Sequence, residues 1–175
     1  DSNNLLLNLN GMGSTLTARH FYVQNNESLT SLAGMPSIEF TPDGVLQIAN
    51  NLMLDNVDAV ASTTTIPELS LNGNNALQNV DGLSGLIQMT KLTIVGNQQL
   101  TNLDGLSGLV SIANRLEISS NDVLTDLSGL SSLTSIGADL FISGNASLCS
   151  EVVNSFLAGV SVSGDIYVSS NAPFC

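Results

Sequence analysis

One spacing recurs along the chain: an apolar residue, a gap, a second apolar residue, two more positions, then asparagine. It reads Leu5-x-Leu7-x-x-Asn10, Phe21-x-Val23-x-x-Asn26, Leu46-x-Ile48-x-x-Asn51 and Leu69-x-Leu71-x-x-Asn74. It continues as Leu92-x-Ile94-x-x-Asn97, Leu116-x-Ile118-x-x-Asn121, Leu140-x-Ile142-x-x-Asn145 and Ile166-x-Val168-x-x-Asn171. Within each cassette apolar and polar positions alternate, the period of a half-buried strand. Successive cassettes begin 16, 25, 23, 23, 24, 24 and 26 residues apart, and a near-constant period in this range marks stacked repeats. Between cassettes the apolar residues return every third position, as at Leu100, Leu103, Leu106, Leu109 and Ile112. That period suits 3₁₀-like or irregular returns better than long α-helices. Asp81-Gly82, Asp104-Gly105 and Ser128-Gly129 supply turn residues at the corners.

The expected fold is a repeat solenoid, a right-handed β-helix or leucine-rich-repeat-like stack of about eight coils. Its strands form a parallel sheet joined by short irregular returns. Stacking is required because one coil cannot bury its apolar side alone. Residues 1–20 read as an N-terminal cap and short first coil, with Gly13 where the register expects leucine. Residues 21–175 read as the solenoid proper with a C-terminal cap, the whole forming a single domain. Asparagine is a poor strand residue, so its column needs its own reason. Asn10, Asn26, Asn51, Asn74, Asn97, Asn121, Asn145 and Asn171 are expected to point inward as a structural ladder. Their amides would satisfy backbone groups of their own and adjacent coils.

The same register places the two cysteines. Cys149 follows Asn145 by four residues and Cys175 follows Asn171 by four, which puts them side by side on adjacent coils. A Cys149–Cys175 disulfide is therefore expected, stapling the C-terminal end and implying an oxidising compartment. Between them, Val152, Val153, Phe156 and Leu157 fall at helical spacing after Ser150, a reasonable N-cap.

The run from Leu92 to Ile112, Leu-x-Ile-x-x-Asn-x-x-Leu-x-x-Leu-x-Gly-Leu-x-x-Leu-x-x-Ile, resembles the receptor L-domain. This is the leucine-rich, β-helix-like module of the insulin and epidermal growth factor receptors, with relatives among microbial cell-surface proteins. Ordinary leucine-rich repeats read Asn-x-Leu; here the register is Asn-x-x-Leu, as in Asn97/Leu100 and Asn121/Leu124. The resemblance covers residues 21–175 and implies the architecture together with binding through surface residues that differ between members. The kinase and cysteine-rich parts of the receptors have no counterpart in this sequence, so hormone binding is not implied.

Composition narrows the partners. Three basic residues stand against fifteen acidic ones, for a formal charge of −12. Arg19, Lys91 and Arg115 form no run, so nucleic acid and anionic membrane surfaces, which demand a positive footprint, are poor partners. No apolar stretch is long enough to span a bilayer, so no membrane insertion is expected. The opening Asp1-Ser2-Asn3-Asn4 lacks the basic and apolar regions of a signal peptide, which leaves a secreted or cell-surface location open.

Candidate chemistry is sparse. His20 is the sole histidine and no Gly-x-Ser-x-Gly elbow, phosphate loop or zinc motif is present, so an enzyme is not expected. Asp58, Asp81 and Asp104 each follow a ladder asparagine by seven residues; they form a weak calcium candidate that turn formation explains equally well. No other cofactor is expected. The sequons at Asn26 and Asn145 coincide with the ladder, where a glycan would not fit. Strand parity sends Tyr22, Glu117, Phe141 and Tyr167 outward. Neighbouring exposed aromatics mark a contact surface, so these four are the candidate binding residues. The expected function is an extracellular or cell-surface adhesion module that recognises a protein or glycan through its sheet face. An ice-binding solenoid, using Ser70, Thr93 and the Ser119/Ser143/Ser169 column, and a structural spacer in a larger surface protein are the rival readings.

Overall fold

The computed structural model describes residues 3–175; Asp1 and Ser2, the first two residues of the expected cap, lie outside the described residues. Its main sheet has seven strands: β1 (Thr15–Gln24), β2 (Ser37–Ala49), β3 (Glu68–Asn72), β5 (Lys91–Val95), β7 (Leu116–Ser119), β9 (Leu140–Ser143) and β11 (Ile166–Ser169). A second sheet is made from the two-residue strands β4 (Gln88–Met89), β6 (Ser111–Ile112), β8 (Ser135–Ile136) and β10 (Ser161–Val162). The orders are β1-β2-β3-β5-β7-β9-β11 and β10-β8-β6-β4, and every pairing is parallel. This arrangement is compatible with a β-solenoid.

The sheet register follows the cassettes. Leu46, Leu69, Leu92, Leu116, Leu140 and Ile166 stand opposite one another strand by strand, as do Ile48, Leu71, Ile94, Ile118, Ile142 and Val168. The leucines of the returns fill the space between the two sheets. Leu100, Leu103, Leu106 and Leu109 are fully buried, with Leu124, Leu127, Leu130 and Leu133 buried beside them. One continuous core therefore runs the length of the stack.

Each strand of the main sheet ends in the same left-handed residue, one before the ladder asparagine. Asn25, Asn50, Gly73, Gly96, Ser120, Gly144 and Ser170 have φ between 55° and 70°. Glycine and asparagine reach this region at least cost, which accounts for five of the seven. The corner glycines act differently from the expected turn role. Gly82, Gly105 and Gly129 lie in 3₁₀ helices (Asp81–Leu83, Asp104–Leu106, Ser128–Leu130), and a Cβ on any of them would collide with the backbone carbonyl of Val57, Val80 or Leu103. They are needed because successive returns pack backbone against backbone.

The first cassette departs from the expected pattern, so the main sheet has seven strands where about eight coils were expected. Leu5–Asn10 forms no strand, Leu5 and Leu7 are 88% and 59% exposed, and Leu6 and Leu9 turn to the core instead. Sixteen residues are too few for a strand plus a full return, and Gly11 and Gly13, at φ 98° and 88°, bend the chain before β1 begins at Thr15. That strand crosses residue 20, so the cap among the described residues is the segment 3–14.

The expected helix is present as α1 (Ser150–Gly159), with Cys149 at the N-cap position. Ser150 is the first helical residue, and its hydroxyl donates to the Pro173 carbonyl, 2.7 Å away. Cys149 and Cys175 are bridged, with Cα atoms 5.1 Å apart. No helix among the described residues is long and apolar enough to cross a membrane.

Candidate functional site: the exposed face of the main sheet

The ladder fixes which side chains reach that face. The backbone N–H of each asparagine from Asn26 to Asn145 donates to Oδ1 of the next, at 3.0–3.2 Å. From Asn51 onward, each Nδ2 also donates to the carbonyl of the second apolar residue of the preceding cassette, from Val23 for Asn51 to Ile142 for Asn171. Asn26 and Asn145 are buried with both amide ends engaged, so neither sequon offers a free amide to a glycan.

Asn10 is a correction: it is exposed and lies outside the ladder. Its backbone N–H turns to the Asn8 side chain, and the place it was expected to fill is taken by the Asn3 N–H, which donates to Asn26 Oδ1 at 2.9 Å.

Strand parity sends Glu117, Phe141 and Tyr167 to the outer face, directly opposite one another on β7, β9 and β11. The rings of Phe141 and Tyr167 stack with centroids 4.5 Å apart and planes within 16°. Arg115 covers the other side of Phe141, its guanidinium 3.8 Å from the ring centroid, and its Nη2 donates to Glu117 at 2.9 Å. The Tyr167 hydroxyl donates to Asp165 at 3.1 Å. This bond, and then the charge of Asp165, raises the tyrosine pKa above its ordinary value because ionisation would break the one and meet the other.

Tyr22 does not join this group. It lies on β1, stacked on His20 with centroids 5.6 Å apart, and four strand spacings, about 19 Å, separate it from Glu117.

Beside Glu117 the face dips into a shallow depression of about 270 Å³ lined by Gln47, Glu68, Ser70, Asn72, Lys91 and Thr93. The Asn72 amide donates to Ser70 Oγ at 2.7 Å, while its oxygen is buried without a partner. Arg115 Nε is likewise buried and unpaired. The sequence pattern alone assigns none of Asn72, Lys91, Arg115 or Asp165 to the candidate site. The parity that sends Glu117 outward also sends Arg115 outward, but Arg115 and Asp165 each lie one residue before a cassette, where the repeated spacing does not reach.

Asp58, Asp81 and Asp104 are exposed first residues of three successive 3₁₀ helices. The backbone N–H of each donates to the side-chain oxygen of Asn56, Asn79 or Asn102, a turn-forming arrangement. Positions two repeats apart lie about 10 Å from each other, too far for one calcium ion to gather all three at ordinary bond lengths. Among the described residues, the one trio of such side chains within reach of a common ion is Cys149, Glu151 and Cys175, whose sulfurs are committed to the disulfide.

No family model matches the chain, and no curated protein or solved structure matches it.

Proposed function

We propose that the chain is a non-enzymatic binding module of the receptor L-domain-like solenoid type, right-handed and displayed extracellularly or on a cell surface. It recognises a protein or glycan through the exposed face of its main sheet. The observation that carries this reading is the row Arg115, Glu117, Phe141 and Tyr167, a cation, a carboxylate and two aromatic rings held against one another on a rigid sheet. Aromatic and arginine side chains dominate binding hot spots, and side chains anchored on strands are better positioned than those on loops. The disulfide fits an oxidising compartment.

An ice-binding face needs flat, repeating small residues. The same row ends the small-residue column of Ser70 and Thr93 and stands large side chains beside the column of Ser119 and Ser143, so recognition of a discrete partner is the better-supported reading. A glycan and protein array probed with the purified chain tests it. At least one ligand should be captured, and the double substitution Phe141→Ala/Tyr167→Ala should weaken capture by about tenfold or more. Undiminished capture by that variant excludes the row as the site.

A further inference from the structure

We infer that the sheet face binds an uncharged polysaccharide chain laid across the strands, over Ser70, Asn72, Lys91, Thr93 and Glu117 and ending against Tyr167. This rests on the reading of that face as a binding surface and names the class of ligand it takes.

The first ground is a pair of unmet hydrogen bonds. The Ser70 hydroxyl satisfies one end of the Asn72 amide, and the other end is buried at the depression with no partner. Buried polar atoms are nearly always paired, so this acceptor calls for a donor from outside the chain. Arg115 Nε is buried too and needs an acceptor. A hydroxyl group can do both, donating to the amide oxygen and accepting from the guanidinium. A ligand made of repeated hydroxyls meets the two needs with one chemistry.

The second ground is charge. At the depression Glu68 and Glu117 are matched by Lys91 and Arg115, while Asp139 and Asp165 leave the Tyr167 end acidic and the chain as a whole carries −12. An anionic polymer would be repelled by the molecule. A polycation would be drawn to the unmatched carboxylates, Asp139 and Asp165 among them, rather than to the depression.

The third ground is shape. Strands in a sheet are spaced by about 4.8 Å, close to the length of one sugar unit in an extended chain. Each step across the sheet therefore offers a polar group to one unit, through Ser70, Thr93 and Glu117 in turn. At the end of the row both faces of the Phe141 ring are already covered, by Arg115 and by Tyr167. Tyr167, on the last strand of the sheet, keeps its outer face open. An aromatic face is where the apolar C–H side of a sugar ring stacks.

The test is affinity electrophoresis of the purified chain in gels cast with soluble β-glucan, xyloglucan or galactomannan, with alginate as the anionic comparison. At least one neutral polysaccharide should retard the wild type. Asn72→Ala should weaken that retardation about fivefold, the effect of one lost hydrogen bond. Thr93→Arg, which fills the depression, should abolish it, and Asn154→Ala on α1 should leave it unchanged. Circular dichroism checks that each variant is folded.

Retardation by alginate alone, by no polysaccharide, or equally in Thr93→Arg would overturn the inference. If no polysaccharide retards the chain but a protein partner is captured and then lost in Phe141→Ala/Tyr167→Ala, the polysaccharide inference fails while the sheet-face reading stands. If retardation survives both sets of substitutions, both fail.

Discussion

At the scale of single residues, the asparagines of the middle repeats carry the most interactions per side chain. Asn97 accepts from the backbone N–H and side chain of Asn74, donates to the Leu71 carbonyl, and passes its own N–H to Asn121. Asn97→Ala would leave the Asn74 N–H buried and unpaired, costing about 1–3 kcal/mol, and would remove the side-chain donor to the Leu71 carbonyl, worth about 1 kcal/mol. Urea unfolding should therefore show a loss of about 2–4 kcal/mol. Asn10→Ala, at an exposed position outside the ladder, should change stability by less than about 0.5 kcal/mol. Tyr167 offers a separate test through its hydrogen bond to Asp165. The neutral phenol holds this bond, so its contribution is fully present below the ordinary tyrosine range and is lost as pH rises through the raised pKa. An absorbance titration compared with Tyr167→Phe should place this ionisation above the ordinary range, and Asp165→Asn should bring it back down.

At the scale of elements, the close approach of successive returns is the feature least tolerant of change. Gly105→Ala pushes a methyl group into the Val80 carbonyl, and relief by backbone movement should cost about 1–3 kcal/mol in an unfolding experiment. The C-terminal elements behave in the opposite way. Ile166 and Val168 are 50% and 44% exposed, although they stand in register with the fully buried Leu140 and Ile142. The disulfide tethers this end, closing a sequence separation of 26 residues. Its reduction should lower stability by about 3–4 kcal/mol on the chain-entropy estimate, read as a lower melting midpoint in the presence of reductant.

Cassettes two to eight were legible because alternation and fixed spacing agree on one register. The first was misread because Leu5–Leu7 and Leu6–Leu9 fit an apolar pattern equally well, and only packing against the core chooses between them. The second sheet went unseen because a two-residue strand has no room to alternate. On the candidate site, parity alone was enough to find Glu117, Phe141 and Tyr167. The unmet oxygen of Asn72 depends on which neighbours fall short of it, and no spacing rule encodes that.

At the scale of the molecule, acidity and architecture are nearly independent. Fifteen acidic residues face three basic ones, and the two ion pairs among the described residues are both partly exposed, so little favourable pairing is lost when salt is added. Screening should instead relieve repulsion among the carboxylates. The melting midpoint should accordingly rise between low salt and about 0.5 M sodium chloride.

The ladder has a consequence for length. Every link in it is the same donor meeting the same acceptor, whichever two repeats are joined. Removing residues 92–115 as a unit would bring Asn74 to Asn121 and set Leu69 and Leu71 beside Leu116 and Ile118. The shortened chain should still fold, about 4.8 Å shorter along the stacking direction. In this molecule the number of repeats acts as a ruler: it sets how far a surface extends without altering the joint between any two graduations.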